Sequence, residues 1–95
     1  MECRTFRFSR HAIERMFGRG IAPALVEAVV RHGEVIATYP DDRPFPSALI
    51  LGSDIEGAVH VVVAQDAAVG LCYIITVYRP DPGLWDKDFR TRRVP

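Results

Sequence analysis

Apolar positions fall at helical spacing in the first third of the chain and in strand-like runs after it. Ala12, Ile13, Met16 and Phe17 recur at the spacing of one helix face. Ser9 stands before them as an N-cap, because its hydroxyl accepts a bond from a free amide of the first turn. Gly18 and Gly20 offer two stops, since glycine accepts the left-handed conformation at a helix end. The pattern predicts a first helix over about residues 10–18. Pro23 suits the first turn of a second helix. There Leu25, Val26, Val29 and Val30 repeat at helical spacing, and His32 and Gly33 close the segment.

From Glu34 the period changes. Strands are predicted from Glu34 to Tyr39, Ala48 to Leu51, Val59 to Ala64 and Cys72 to Tyr78. The loop from Pro40 to Pro46 and turns at 53–57 and 66–70 connect them, and Pro80 and Pro82 end the last one. Short turns between strands favour an antiparallel meander. The expected fold is α+β in a single domain over residues 1–95, with a loose end after about residue 90. Two N-terminal helices pack on a four-stranded antiparallel meander sheet, followed by a short C-terminal helical turn. Two helices cover one sheet face, yet both faces of the last two strands are apolar. The second face is then covered by the segment carrying Trp85 and Phe89, by a second copy in a homodimer, or by a partner protein.

Charge narrows the classes of partner. Twelve basic and twelve acidic residues give a formal net charge of zero. A dedicated nucleic-acid binder is usually distinctly basic, so neutrality argues against strong autonomous binding of RNA or DNA. The positive residues nonetheless gather at both ends: Arg4, Arg7, Arg10, Arg15 and Arg19 near the start, Arg90, Arg92 and Arg93 near the finish. Cys3 and Cys72 are far apart and form no CxxC pattern, which reads as two reduced thiols. No apolar run approaches a membrane span, and no cationic-then-apolar leader is present. The expectation is a cytoplasmic protein with no membrane partner.

Several segments together resemble a known family. They are Ser9-Arg10-His11-Ala12-Ile13-Glu14-Arg15-Met16, Gly20-Ile21, Gly33-Glu34-Val35-Ile36, the Tyr39-to-Pro44 loop, His60-Val61-Val62-Val63-Ala64 and Ile75-Thr76-Val77-Tyr78. Over roughly residues 9–90 the chain resembles the family catalogued as domain of unknown function 4258. That family is similar to small toxins of bacterial toxin–antitoxin pairs and is often encoded beside a zinc-finger antitoxin. The resemblance implies a small α+β domain, an antitoxin protein as partner, and cleavage of messenger RNA as an activity. The neutral charge departs from the strongly basic character of typical ribosome-dependent toxin ribonucleases; it predicts weak binding of free RNA, so a ribosome is expected to present the substrate.

Metal-free RNA cleavage takes a proton from the ribose 2′-hydroxyl, gives one to the leaving 5′-oxygen and needs positive charge near the phosphorane. Histidine handles protons near neutral pH, and arginine grips phosphate with a planar fork. His11, His60 and Tyr78 are the candidate catalytic residues; Arg15 and Arg79 are the candidate substrate binders. His11 and Arg15 are four apart and share a helix face, and Arg19 extends that row if the helix runs so far. If Ala64 faces Cys72, then His60 faces Thr76 with Tyr78 a diagonal neighbour; a register one residue over separates them. Each residue also suits plain structural work: His11 at a helix start, His60 as a satisfied core histidine, Tyr78 in the core beside a surface Arg79. The histidines and cysteines lack the close spacings of a zinc site, and no phosphate-cradling glycine loop or nucleophile elbow is present. No metal and no cofactor are therefore expected. A non-catalytic interaction module, or a degenerate toxin relative, is the competing function.

Overall fold

The first helix begins where Ser9 makes two bonds at once. In the computed structural model, which describes residues 1–94, Ser9 Oγ accepts from the Ala12 amide at 2.9 Å and donates to the Ile75 carbonyl at 2.8 Å. One hydroxyl thus caps α1 (Arg10–Arg19) and fastens it to the last strand. The helix passes through Gly18 and stops at Gly20, whose φ of 64° is left-handed. Ala12 and Met16 are buried, whereas Ile13 and Phe17, placed on the same stripe by spacing, are 51% and 90% exposed. α2 (Pro23–His32) starts on its proline and buries Val26, Val29 and Val30.

The sheet has five strands, which corrects the expected four-stranded antiparallel meander. They are β1 (Thr5–Phe8), β2 (Glu34–Tyr39), β3 (Ser47–Asp54), β4 (Gly57–Asp66) and β5 (Leu71–Tyr78), in the order β1-β5-β4-β3-β2. β2 to β5 run antiparallel in succession, but β1 lies parallel to β5, with Phe6 opposite Cys72 and Phe8 opposite Ile74. The missed strand is only four residues long and runs straight into the Ser9 cap. Its alternation, with Phe6 and Phe8 half-buried against the core, is too short for period alone to declare. The same pairing overturns the reading of the cysteines as thiols. Cys3 and Cys72 are joined in a disulfide across 69 residues, their Cα atoms 5.7 Å apart. The missing strand hid that proximity.

The helices cover the face carrying Val59, Val61 and Val63 of β4 and Ile74 and Val77 of β5. A register shift beside Val62 and Val63 leaves Ile75 opposite no residue of β4 and sets Ile74 with Val63 on this face. α2 comes so close to β3 that a Cβ on Gly52 would stand 2.5 Å from Val29 Cγ2. The expected C-terminal helical turn is absent. Phe89, at φ 56°, lies outside the right-handed helical region and breaks the turn expected from Trp85 to Phe89. Instead the tail doubles back: Trp85 bridges Arg92 antiparallel, the Asp86 amide donates to the Thr91 carbonyl at 2.8 Å, and the Arg93 amide to the Leu84 carbonyl at 2.9 Å. Pro95, the last residue of the end expected to be loose, lies outside the described residues. Among the described residues no helix is long and apolar enough to cross a membrane.

Candidate functional site

Register places Glu34, Leu51, His60 and Tyr78 in one row across the sheet, on the face away from the helices. The tail lies along this row. Arg90 donates to both Glu34 carboxylate oxygens at 2.7 and 2.8 Å, and Trp85 stands edge-on to the His60 ring at 4.6 Å between centroids. The tail, one of the covers expected for the second face, lies over this row. Of the two registers left open, the one formed at Ala64 is the shifted one: Ala64 faces Tyr73 and not Cys72. Beyond the bulge His60 faces Tyr78 directly rather than Thr76.

His60 is wholly buried, with both ring nitrogens engaged. Nε2 lies 2.8 Å from the Phe89 carbonyl and Nδ1 lies 3.1 Å from the Tyr78 hydroxyl. A carbonyl only accepts, so Nε2 carries the hydrogen, Nδ1 accepts, and the Tyr78 hydroxyl donates to it. Burial pushes the His60 pKa down, against the opposing bond to Phe89, so the ring is held neutral. Burial also raises the Tyr78 phenol, helped by the neighbouring Tyr39, while Arg92 pulls the other way. The Phe89 carbonyl is supplied by a backbone with φ 56°, a left-handed conformation uncommon for a bulky residue.

Beside this buried pair opens a cleft of about 300 Å³. Arg15 and Arg19 enter from α1, Thr76, Tyr78 and Arg79 from the end of β5, and Asp81, Leu84, Trp85 and Arg92 from the tail. His11 sits at its edge, its Nε2 3.0 Å from Thr76 Oγ1, with the side chain exposed. Arg79 is already occupied: it grips Asp54 with two bonds of 2.9 Å and reaches Glu56 at 3.2 Å. The same clamp holds the Asp54 carboxyl below its ordinary range. Arg15, Arg19 and Arg92 take part in none of the ion pairs among the described residues. Arg92 lies 5.5 Å from the Trp85 ring. The cleft therefore offers three arginines not engaged by carboxylates against one carboxylate, Asp81, which is turned toward the Gly83 amide.

Four of the five candidates thus meet at the cleft or its edge, and His60 lies behind Tyr78. Arg19 follows from the Arg15 spacing once α1 reaches it. Trp85 and Arg92 join the site only through the tail hairpin, which no local pattern announces. A larger hollow of about 510 Å³, beside the disulfide and lined in part by Arg4, Arg31 and Gln65, gathers none of the candidates. Among the described residues no group of three or more His, Cys, Asp or Glu is placed to hold a metal ion.

The sequence model of a family described as domain of unknown function (DUF4258) matches residues 8–79, about three quarters of the chain. The chain belongs to the DUF4258 family. The DUF4258 match contains His11, Arg15, Arg19, His60, Thr76, Tyr78 and Arg79, and it ends before the tail that carries Leu84, Trp85 and Arg92. No curated protein and no solved structure matches the chain.

Proposed function

We propose that this DUF4258 protein is a toxin-like endoribonuclease that cleaves RNA in the cleft between α1 and the tail without a metal ion. The observation that carries the reading is the set of three arginines around a phenol with no carboxylate partner among the described residues, and an exposed histidine at the rim. Arg15, Arg19 and Arg92 hold the phosphate and offset charge as the 2′-oxygen attacks phosphorus. His11 is the accessible proton-transfer group, oriented by Thr76. His11 takes the proton of the 2′-hydroxyl as that oxygen bonds to phosphorus, the bond from phosphorus to the 5′-oxygen breaks, and the 5′-oxygen takes up a proton from water, leaving a 2′,3′-cyclic phosphate and a 5′-hydroxyl. His60, sealed in and neutral, acts on Tyr78 rather than on RNA. Arg79 braces the end of β5 against Asp54. Zero net charge makes free RNA a weak ligand, so a ribosome presents the substrate, and an antitoxin partner restrains the activity.

The test is incubation of messenger RNA with the protein and translating ribosomes, and separately of a single-stranded oligoribonucleotide with the protein in chelator. Wild type is expected to cut. His11→Ala and Arg15→Ala are each expected to lose roughly 10²-fold or more in rate while staying folded. Uncut RNA in both settings removes the enzyme. A second reading, a non-catalytic interaction module, is favoured by Phe17 and Ile13, which expose an apolar pair one turn apart on α1.

A further inference from the structure

Resting on the phosphate-holding cleft, we infer that Tyr78 is a specificity-determining residue that accepts a hydrogen bond from the ribose 2′-hydroxyl next to the bound phosphate in the resting complex, the hydroxyl turning to His11 only as the cut begins, so that the cleft selects ribonucleotides over deoxyribonucleotides at the binding step. The Phe89 carbonyl fixes the hydrogen of His60 on Nε2, and His60 Nδ1 then captures the hydrogen of Tyr78. The phenol therefore has no hydrogen to give to a phosphate oxygen. Its oxygen keeps its acceptor capacity in a cleft whose other polar side chains are mostly cationic donors. Arg92, on the tail wall, sits close enough for its charge to act on that phenol.

An acceptor set among phosphate-binding donors calls for a ligand that carries a donor beside its phosphate. The ribose 2′-hydroxyl is the donor that neighbours every 3′-phosphate of RNA, and DNA lacks it. His60 is the positioning residue in this arrangement. It never touches the ligand, but it holds the phenol in the accepting state. Trp85, edge-on to His60, and the Phe89 carbonyl keep water from competing for the imidazole.

The experiment uses three ligands that contain no phosphodiester and so cannot be cut: uridine 3′-monophosphate, its 2′-deoxy form and its 2′-O-methyl form. Affinities for the full chain are compared by NMR titration, with inorganic phosphate as a control. The ribonucleotide is expected to bind roughly threefold to tenfold more tightly than the deoxynucleotide, the usual worth of one hydrogen bond. The 2′-O-methyl form accepts but does not donate, so it is expected to bind no better than the deoxy form. In Tyr78→Phe, checked for an intact fold by thermal melting, the three affinities should converge. Equal binding of all three ligands by wild type overturns the inference and leaves the anion cleft standing, as does 2′-O-methyl binding as tight as ribose. Failure of all three and of phosphate to bind removes the cleft itself, and the inference with it.

Discussion

His11 Nε2 and Thr76 Oγ1 lie 3.0 Å apart, joined across 65 residues of sequence. The bond spans the gap between α1 and β5 at the point where β1 has ended and the edge of β5 is free. Ser9, two residues earlier, holds the same two elements together through the Ile75 carbonyl. The histidine is therefore presented to the cleft by two adjacent ties rather than by its own rotamer preference.

Removal of the second tie should cost rate more than stability. Thr76→Val keeps the shape and drops the hydroxyl. RNA cleavage is expected to fall roughly ten- to a hundredfold, as misplacement of a reacting group by an ångström does. The thermal midpoint should stay near that of wild type, because Thr76 is only partly buried. Unchanged cleavage by Thr76→Val would show that His11 needs no such orientation.

The acid sensitivity of the fold should show two limbs. Above pH 6.5, the ordinary value for histidine, His60 is neutral in both folded and unfolded chains and its full contribution is present. As pH falls below 6.5 the unfolded chain takes up a proton that the buried ring refuses. Stability then drops by at most about 1.4 kcal/mol per pH unit until the lowered folded value is reached. Glu34 and Asp54 act later. Held below their ordinary values of 4.5 and 3.8 by bonds from Arg90 and Arg79, they contribute stability that is lost as pH falls through those lowered folded values. Urea midpoints at about pH 7.5 and 5.5 should differ clearly for wild type. A folded His60→Phe variant should lose much of that difference.

The helices were legible because each carries its own local signals: Ser9 and Gly20 at the ends of α1, Pro23 at the start of α2, and valines at the right period between. The antiparallel strands were legible as runs, with Ala48-Leu49-Ile50-Leu51 and Val59 to Ala64 falling inside longer observed strands. β1 was not, since four residues give a period of two little room, and its partner lies at the far end of the chain. The error carried into chemistry: without β1, Cys3 and Cys72 look unrelated. Residue types at the site were legible, but their partners were not. Nothing local in Tyr78-Arg79 says that Asp54 will claim the arginine, or that a bulge will bring the tyrosine opposite His60.

The disulfide closes a loop of 69 residues and ties the start of the chain to the strand at the heart of the cleft. Loop-closure entropy of that size is worth about 4 kcal/mol. Cys3→Ser with Cys72→Ser, or wild type in strong reductant, is expected to unfold at markedly lower urea concentration than the oxidised protein. Equal midpoints would mean that parallel pairing of β1 with β5 suffices to hold the segment.

Metal-free attack by the 2′-oxygen leaves its signature on the cut ends. A labelled single-stranded oligoribonucleotide is incubated with the protein in excess chelator, and separately messenger RNA with the protein and translating ribosomes in magnesium, and the product ends are identified by mass spectrometry. Attack by the 2′-oxygen, without a metal ion, predicts a 2′,3′-cyclic phosphate on one fragment and a 5′-hydroxyl on the other, with both products greatly reduced in His11→Ala. Fragments ending in 3′-hydroxyl and 5′-phosphate, cutting of the ribosome-free RNA that disappears in chelator, or RNA left whole in both settings would refute it.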